Sequence, residues 1–204
     1  MKIDPAAISS DAGYAWMVAT ILPRPIAWVS TLNEDGSANL APFSFFTGVG
    51  SEPPTCLFCV GRKTKVEIGQ KKDTWANVER AGEYVIHVVS DALAQAMNAT
   101  SKEYPHGFDE FAAAGVTKAP SERVAPPRVL EAPVAMECRL RQLIEVGAPG
   151  DGTAVVIGEI LLWHVADELL VAGRLDPGRL DAIGRMGGPT YARTRDRFDM
   201  PRPK

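Results

Sequence analysis

The sequence predicts a mainly β fold, an antiparallel barrel or sandwich with helical additions. Long hairpins dominate the pattern, regular strand–helix–strand alternation is missing, and proline and glycine interrupt the chain throughout. We expect about six strands, two short helices and one loop excursion. Because 204 residues suffice for one sizeable core, the whole chain, 1–204, is expected to form a single domain.

The first part of the chain predicts a hairpin and a third strand. In order, we expect a strand over 25–32, a turn over 33–36, a returning strand over 37–46, a loop over 48–54 and a short apolar strand over 55–60. Pro42 has no N–H to donate to a ladder, so strand pairing is expected to break there.

A helix is predicted after this hairpin. Asp73 is expected to cap a helix over 74–81, with Gly82 as its stop. Trp75 and Val78 are expected to face the core.

The second half predicts one more strand, a short helix and a long hairpin. In order, we expect a strand over 83–89, a helix capped by Ser90 or Asp91 and continuing through Met97, an irregular excursion or lid over 101–133, a hairpin of strands over 134–146 and 153–165 with a turn over 147–152, and a C-terminal tail over 173–204.

Composition excludes several function classes. The formal net charge of −3 and the lack of a known motif argue against a nucleic-acid binder. No apolar run approaches the roughly 20 residues of a membrane helix, and the first residues lack a signal-peptide pattern. Three cysteines do not suit a disulfide framework, so a cytoplasmic protein is expected.

Several segments together resemble a known family. They are Pro23–Thr31, Asn39–Phe46, Lys72–Asn77, Glu83–His87 and Gly184–Gly188 with Tyr191. Over residues 10–195 the chain resembles the flavin reductase-like, FMN-binding split-barrel family, which includes flavoredoxins and nitrilotriacetate monooxygenase component B. The resemblance implies an antiparallel, Greek-key-like split barrel and a homodimer with FMN near the subunit interface.

A site for FMN needs cations or N–H donors for the phosphate. Candidates are Arg62 and Lys63 in a basic run, then Lys72, Asp73 and Thr74 at the predicted helix start. The charge of Asp73 would oppose a phosphate unless its side chain capped the helix. The alternative interpretation is a solvated, lysine-rich loop.

The strand around Pro42 is the candidate for the flavin ring. Pro42 would free backbone groups to meet the ring, and the residues assigned to this contact are Asn39, Leu40, Ala41, Pro42, Ser44 and Phe46. The alternative is an edge strand whose polar side chains serve local turns. Arg185, in a glycine-rich tail, is a further candidate for the flavin, with an ordinary surface arginine as the alternative.

The resemblance, together with these residues, implies an FMN-binding oxidoreductase, an NAD(P)H-dependent flavin reductase that passes electrons to flavin or a partner monooxygenase. FMN, with FAD as an option, would accept hydride from NADH or NADPH, a step that needs little acid–base help. No catalytic residue is therefore named. No metal ligand is named either, because Cys56 and Cys59 should point to opposite strand faces and so could not share a metal ion. The alternatives are a flavoredoxin-like electron-transfer protein and a non-enzymatic ligand-binding barrel.

Overall fold

The computed structural model describes residues 1–148 and 150–203. Its helices are α1 (Ser10–Thr20), α2 (Asp73–Ala81), α3 (Ala94–Ala99), α4 (Glu110–Ala114) and α5 (Pro177–Leu180). Its strands are β1 (Ala27–Leu32), β2 (Ala38–Phe43), β3 (Phe46–Ser51), β4 (Pro54–Val60), β5 (Glu83–Val88), β6 (Lys118–Ala119), β7 (Arg128–Val129), β8 (Val134–Val146), β9 (Thr153–Val165), β10 (Leu170–Val171), β11 (Arg174–Leu175), β12 (Ile183–Arg185) and β13 (Tyr191–Arg193). Among the described residues, no helix has the length and apolar character needed to span a membrane.

Seven strands form one sheet in the order β2-β1-β5-β8-β9-β4-β3, and every neighbouring pair is antiparallel. The sheet consists of three hairpins, β1–β2, β3–β4 and β8–β9, with β5 inserted between the first and the last. β2 and β3 form its two edges. The predicted mainly β, antiparallel split barrel is confirmed, with seven strands in the main sheet instead of six.

The sheet curls around a core to which most of its strands contribute. Val29, Phe58, Ile86 and Val156 come from four different strands and belong to one buried cluster. α2 closes this core, since Trp75 and Val78 are both fully buried in the same cluster. Their predicted orientation is confirmed.

The prediction for the stretch from Pro42 to Pro54 was wrong in two respects. Pairing continues through Pro42, which lies opposite Trp28, to Phe43 opposite Ala27. β2 is an edge strand, where the missing N–H of proline is tolerated. The expected loop over 48–54 is instead strand β3 and its turn into β4. β3 is mostly exposed and rich in glycine, so no burial pattern marked it.

The predicted caps of two helices were also wrong. Lys72 is the residue before α2, Asp73 is its first residue, and no side chain caps this end. The Asp73 carboxylate pairs with Lys63, whose Nζ lies 2.9 Å from its Oδ1, and does not accept from the first N–H groups of the helix. Gly82 does end α2, with a left-handed φ of 70°. Ser90 does occupy the cap position of the short helical segment leading into α3, but its side chain makes no capping bond. The Asp91 carboxylate instead accepts from two arginines of the tail.

α1 was not predicted from the sequence. Of its residues only Val18 is buried, so the helix shows no apolar face of helical period. Ser9 caps it by accepting from the N–H of Ala12. The predicted turn over 147–152 contains Pro149, which lies outside the described residues.

The excursion over 101–133 contains only short elements, as predicted, and packs on the outer side of the sheet. Phe111 of α4 and Val129 of β7 join Trp28 and Leu40 in a second buried cluster. Ile183 of the tail completes this cluster. The excursion and the tail therefore both lie over β1 and β2.

Candidate functional site

A continuous groove runs along the β2 edge of the barrel, and we call it the β2 groove. The residues that line it are Ile26, Asn39, Ala41, Pro42, Phe43, Ser44, Lys63, Lys72, Asp73, Thr74, Met97, Thr100, Ser101, Lys102, Glu103, Tyr104, Glu110, Arg185 and Tyr191. Lysines lie at one end and Arg185 lies at the other. At the Arg185 end the groove opens into a depression of about 440 Å³ between α3 and the tail.

The lysine end is formed where the loop after β4 meets the start of α2. Lys63 is buried, and its Nζ lies 2.9 Å from Asp73 and 2.5 Å from Glu67. Burial alone would lower the pKa of Lys63, but the two carboxylates outweigh it and raise the pKa. Lys72 is more exposed and lies 3.7 Å from Glu103. Lys102 also lines this end, so three lysines lie there together with the carboxylates of Asp73, Glu103 and Glu110.

A chain of buried side-chain hydrogen bonds fixes the helix start against β2. The Nδ2 of Asn39 donates to the hydroxyl oxygens of Thr31 and Thr74, at 3.0 and 2.9 Å. Asn77, one turn further along α2, also donates to Thr31. These bonds join β1, β2 and α2, so they hold the lysine end in a fixed relation to the strand.

The other half of the groove combines an edge strand with the tail. Ser44 Oγ accepts from the Nε of Arg24 at 3.3 Å, and Arg24 is a buried cation that otherwise donates to main-chain carbonyls. Arg185 stacks on Tyr191 at 4.6 Å from the ring centroid and donates to the carbonyl of Gly188. Arg185 thus presents a positive charge with no carboxylate partner within the described residues.

The structure brings most of the predicted site residues together. Those that line the groove are Asn39, Ala41, Pro42, Ser44, Lys63, Lys72, Asp73, Thr74 and Arg185. The side chain of Leu40 is buried beneath the strand. Phe46 lines a separate apolar depression with Met17 and Leu57. Arg62 points away from the groove, pairs with Glu145 and lies over the Trp75 ring.

Two carboxylates of the groove were missed by the sequence analysis. Glu110 is 7% exposed, and its Oε2 accepts from the N–H of Leu40 at 3.2 Å. Burial raises the pKa of Glu110 to about 7. Glu103 accepts from the main chain after Lys63. Both come from the irregular excursion, where an acidic residue carries no periodic signal that distinguishes it from a solvated one.

The groove offers no metal-binding arrangement. Within 1–148 and 150–203, no group of three or more metal-ligating side chains converges. Cys56 is buried in the barrel core while Cys59 lines the apolar depression beside Phe46, so the predicted opposite orientation of the two cysteines is confirmed.

Comparison with known proteins gives matches along the full length of the chain. An uncharacterised protein of Deinococcus radiodurans is 42% identical, covering 98% of this chain and 88% of its own. The structure of nitrilotriacetate monooxygenase component B from Bacillus cereus is 32% identical with a TM-score of 0.93, covering 98% of both chains. The 2-nitrobenzoate 2-nitroreductase of Pseudomonas fluorescens is 29% identical with a TM-score of 0.89, covering 100% and 96%.

A family model described as the flavin reductase like domain matches residues 18–178, which include β1 to β9 and most of the β2 groove. The chain belongs to the flavin reductase-like domain family.

Proposed function

We propose that this chain is an FMN-binding oxidoreductase, an NAD(P)H-dependent flavin reductase acting in the cytoplasm as a homodimer, with residues 1–204 as one functional unit. The observation that carries the proposal is the β2 groove itself. It is an elongated site with cations at one end, an edge strand along its middle and an arginine at the other end. Family membership supports a flavin as the occupant.

The chemistry of the groove fits FMN. Lys72, Lys63 and the hydroxyl of Thr74 would hold the phosphate, since they form the cationic end beside the start of α2. The main-chain carbonyl of Pro42 lies on the free side of an edge strand, two residues after the Leu40 N–H that donates to Glu110, where it is available to the polar edge of a flat ring.

A bound FMN would supply a two-electron acceptor for hydride from NADH or NADPH. The side chains of the protein then serve to bind the flavin and the pyridine nucleotide and to orient them. Asn39 and Thr74 hold the helix start against β2, and Arg24 holds Ser44 in place. Arg185, at the far end, offers a positive charge to the anionic part of FAD or of a pyridine nucleotide. No side chain of the groove is needed to move a proton in hydride transfer.

More than one electron acceptor is compatible with the proposal. The name of the Bacillus cereus protein connects that relative with a monooxygenase, which supports a partner oxygenase here. The name of the Pseudomonas fluorescens protein connects that relative with direct reduction of a nitroaromatic compound. A flavoredoxin-like carrier without its own NAD(P)H reaction is the remaining alternative.

The proposal is tested by visible absorption spectroscopy of the purified protein with FMN under anaerobic conditions. We expect FMN to bind and its oxidised absorption band to bleach when NADH or NADPH is added. Replacing Lys72 by alanine should weaken FMN binding by about tenfold, because a charge-assisted contact to phosphate is lost.

Lys118→Ala is the matched control, since Lys118 pairs with Asp109 outside the groove. Bleaching by a redox partner but not by pyridine nucleotide would move the function to electron transfer. A protein that takes up no flavin at all would contradict the proposal.

A further inference from the structure

Three consecutive main-chain N–H groups at the lysine end converge on a single carboxylate. The amides of Thr64, Lys65 and Val66 donate to Glu103 at 3.0, 2.6 and 3.3 Å. The hydroxyl of Thr64 adds a fourth bond at 3.0 Å. Successive N–H groups that point into one concavity form a typical anion site. We call residues 64–66 the anion cradle.

The occupant of the anion cradle is fully charged at neutral pH. Burial would raise the pKa of Glu103, but the amide donors of Thr64 and Lys65 outweigh it and lower the pKa to about 2. Lys72, the cation assigned to the flavin phosphate, lies 3.7 Å from the same carboxylate. The chain therefore fills its own anion site with its own anion.

A phosphate at this end of the groove and the Glu103 carboxylate would share Lys72, which lies 3.7 Å from Glu103, and the amides of the neighbouring anion cradle would be the next donors within the loop after Lys63. Two anions so close repel each other strongly in a partly buried site. The Asp73 carboxylate is held in position, since Asp73 is the first residue of α2 and pairs with buried Lys63. Glu103 is different, because it lies between the end of α3 and the start of α4, outside any helix or ladder.

We propose that Glu103 is an internal competitor of the flavin phosphate, which must displace Glu103 from the anion cradle when FMN binds. The inference rests on the proposed function and deepens it. Each time FMN binds, the hydrogen bonds from these four donors to Glu103 are broken. This cost weakens FMN binding, so FMN can exchange and be transferred to another protein. Riboflavin has no phosphate, so it binds with Glu103 in place. Glu103 thereby determines how strongly the groove prefers the phosphorylated flavin.

The test compares FMN with riboflavin on three variants of the full-length protein. In Glu103→Gln the amide keeps an acceptor but loses the charge, and in Glu103→Ala both are lost. We expect both variants to bind FMN about tenfold more tightly than the unmodified protein, with riboflavin affinity unchanged. Isothermal titration or quenching of flavin fluorescence gives both affinities.

Glu131→Gln is the matched control. Glu131 belongs to the same excursion and accepts from the N–H of Thr117 with both oxygens at 3.1 Å, but it lies outside the β2 groove. Its replacement should change neither affinity. This control separates loss of one carboxylate from loss of the competitor.

The other outcomes are equally definite. If FMN affinity is unchanged or weaker in Glu103→Gln, Glu103 supports the cradle and does not compete for it, and the inference is overturned while the proposed function stands. If both flavins bind more tightly to the same extent, the effect does not depend on phosphate, and the inference is again overturned. If the unmodified protein and every variant bind neither flavin, the proposed function itself fails.

Discussion

At the scale of single residues, the barrel interior contains a hydroxyl that the fold accommodates without a hydrogen bond. The Oη of Tyr84 is buried and has no partner within the described residues. It points at Gly158 of β9, where an added Cβ would overlap the hydroxyl and lie 3.0 Å from the carbonyl oxygen of Arg139. Glycine weakens a strand, and its use here is explained by the close approach of the tyrosine ring.

We expect Gly158→Ala to lower the free energy of unfolding by about 1–3 kcal/mol, because it overpacks the core. Tyr84→Phe removes a hydroxyl that makes no bond, so it should leave stability unchanged or raise it. The double variant should regain part of the loss, since the overlap involves that hydroxyl. Urea unfolding measures all three, with Gly48→Ala as the control because Gly48 lies in β3 with open space around it. Strictly additive losses would contradict this account.

At the scale of elements, His87 of β5 connects the sheet to the excursion. Its Nε2 accepts from the N–H of Val129 at 2.9 Å, which leaves the proton on Nδ1 to donate to the carbonyl of Trp28 at 2.8 Å. The ring is fully buried and neutral. Burial lowers the pKa of His87 to about 4. Because protonated Nε2 could not accept from Val129, charging this ring would detach β7 from β5.

This arrangement predicts a pH dependence with a defined sign. An unfolded histidine titrates near pH 6.5, so between about pH 6.5 and 4 the unfolded state binds a proton that the folded state does not. The contribution of the neutral His87 ring to the free energy of unfolding is complete above about pH 6.5. About 3 kcal/mol of stability is lost as the pH falls to 4. Unfolding free energies of the unmodified protein and His87→Gln, measured across this range, should converge toward acid pH. His106→Gln is the comparison at an exposed histidine, whose ring is 56% exposed and lies 3.3 Å from the Asp73 carboxylate. Parallel curves would show that His87 is not the titrating group.

The elements also show what the sequence could predict. α2 and the first half of β9 were predictable because burial imposes a local period on their residues. β8 was predictable from the alternation of its sequence, although its first five residues are all buried. α1 and β3 have almost no buried residues, so neither carries such a period. In the site, the strand at Pro42 and the helix start at Thr74 were recognisable from local pattern. Glu103 and Glu110 were not, because their positions depend on how an irregular segment folds back over β2.

At the scale of the whole molecule, several large apolar side chains are exposed on and just after α1. α1 and the residues after it expose large side chains, namely Tyr14, Trp16, Met17, Ile21 and Leu22, each by 40% or more. Beside them lies an apolar depression of about 440 Å³ lined by Met17, Phe45, Phe46 and Leu57. Ser44 lines both this depression and the β2 groove, so the depression adjoins the proposed flavin site. Exposed large apolar side chains beside an apolar depression are typical of a subunit interface.

We expect the protein to form a homodimer through this face. Trp16→Glu places a charge on the outward side of α1, opposite buried Val18, and should weaken self-association by about a hundredfold, since buried tryptophans dominate interface energies. Trp163→Glu is a close control, because Trp163 is exposed to 46% and Trp16 to 47%, and Trp163 lies on β9 away from the patch. Sedimentation equilibrium over a range of concentrations measures the effect. A monomer at all concentrations, or equal weakening by both variants, would exclude this face as the interface.

If Trp16→Glu also weakens FMN binding, the partner subunit contributes to the site, whereas unchanged FMN affinity would mean that each subunit holds its flavin alone.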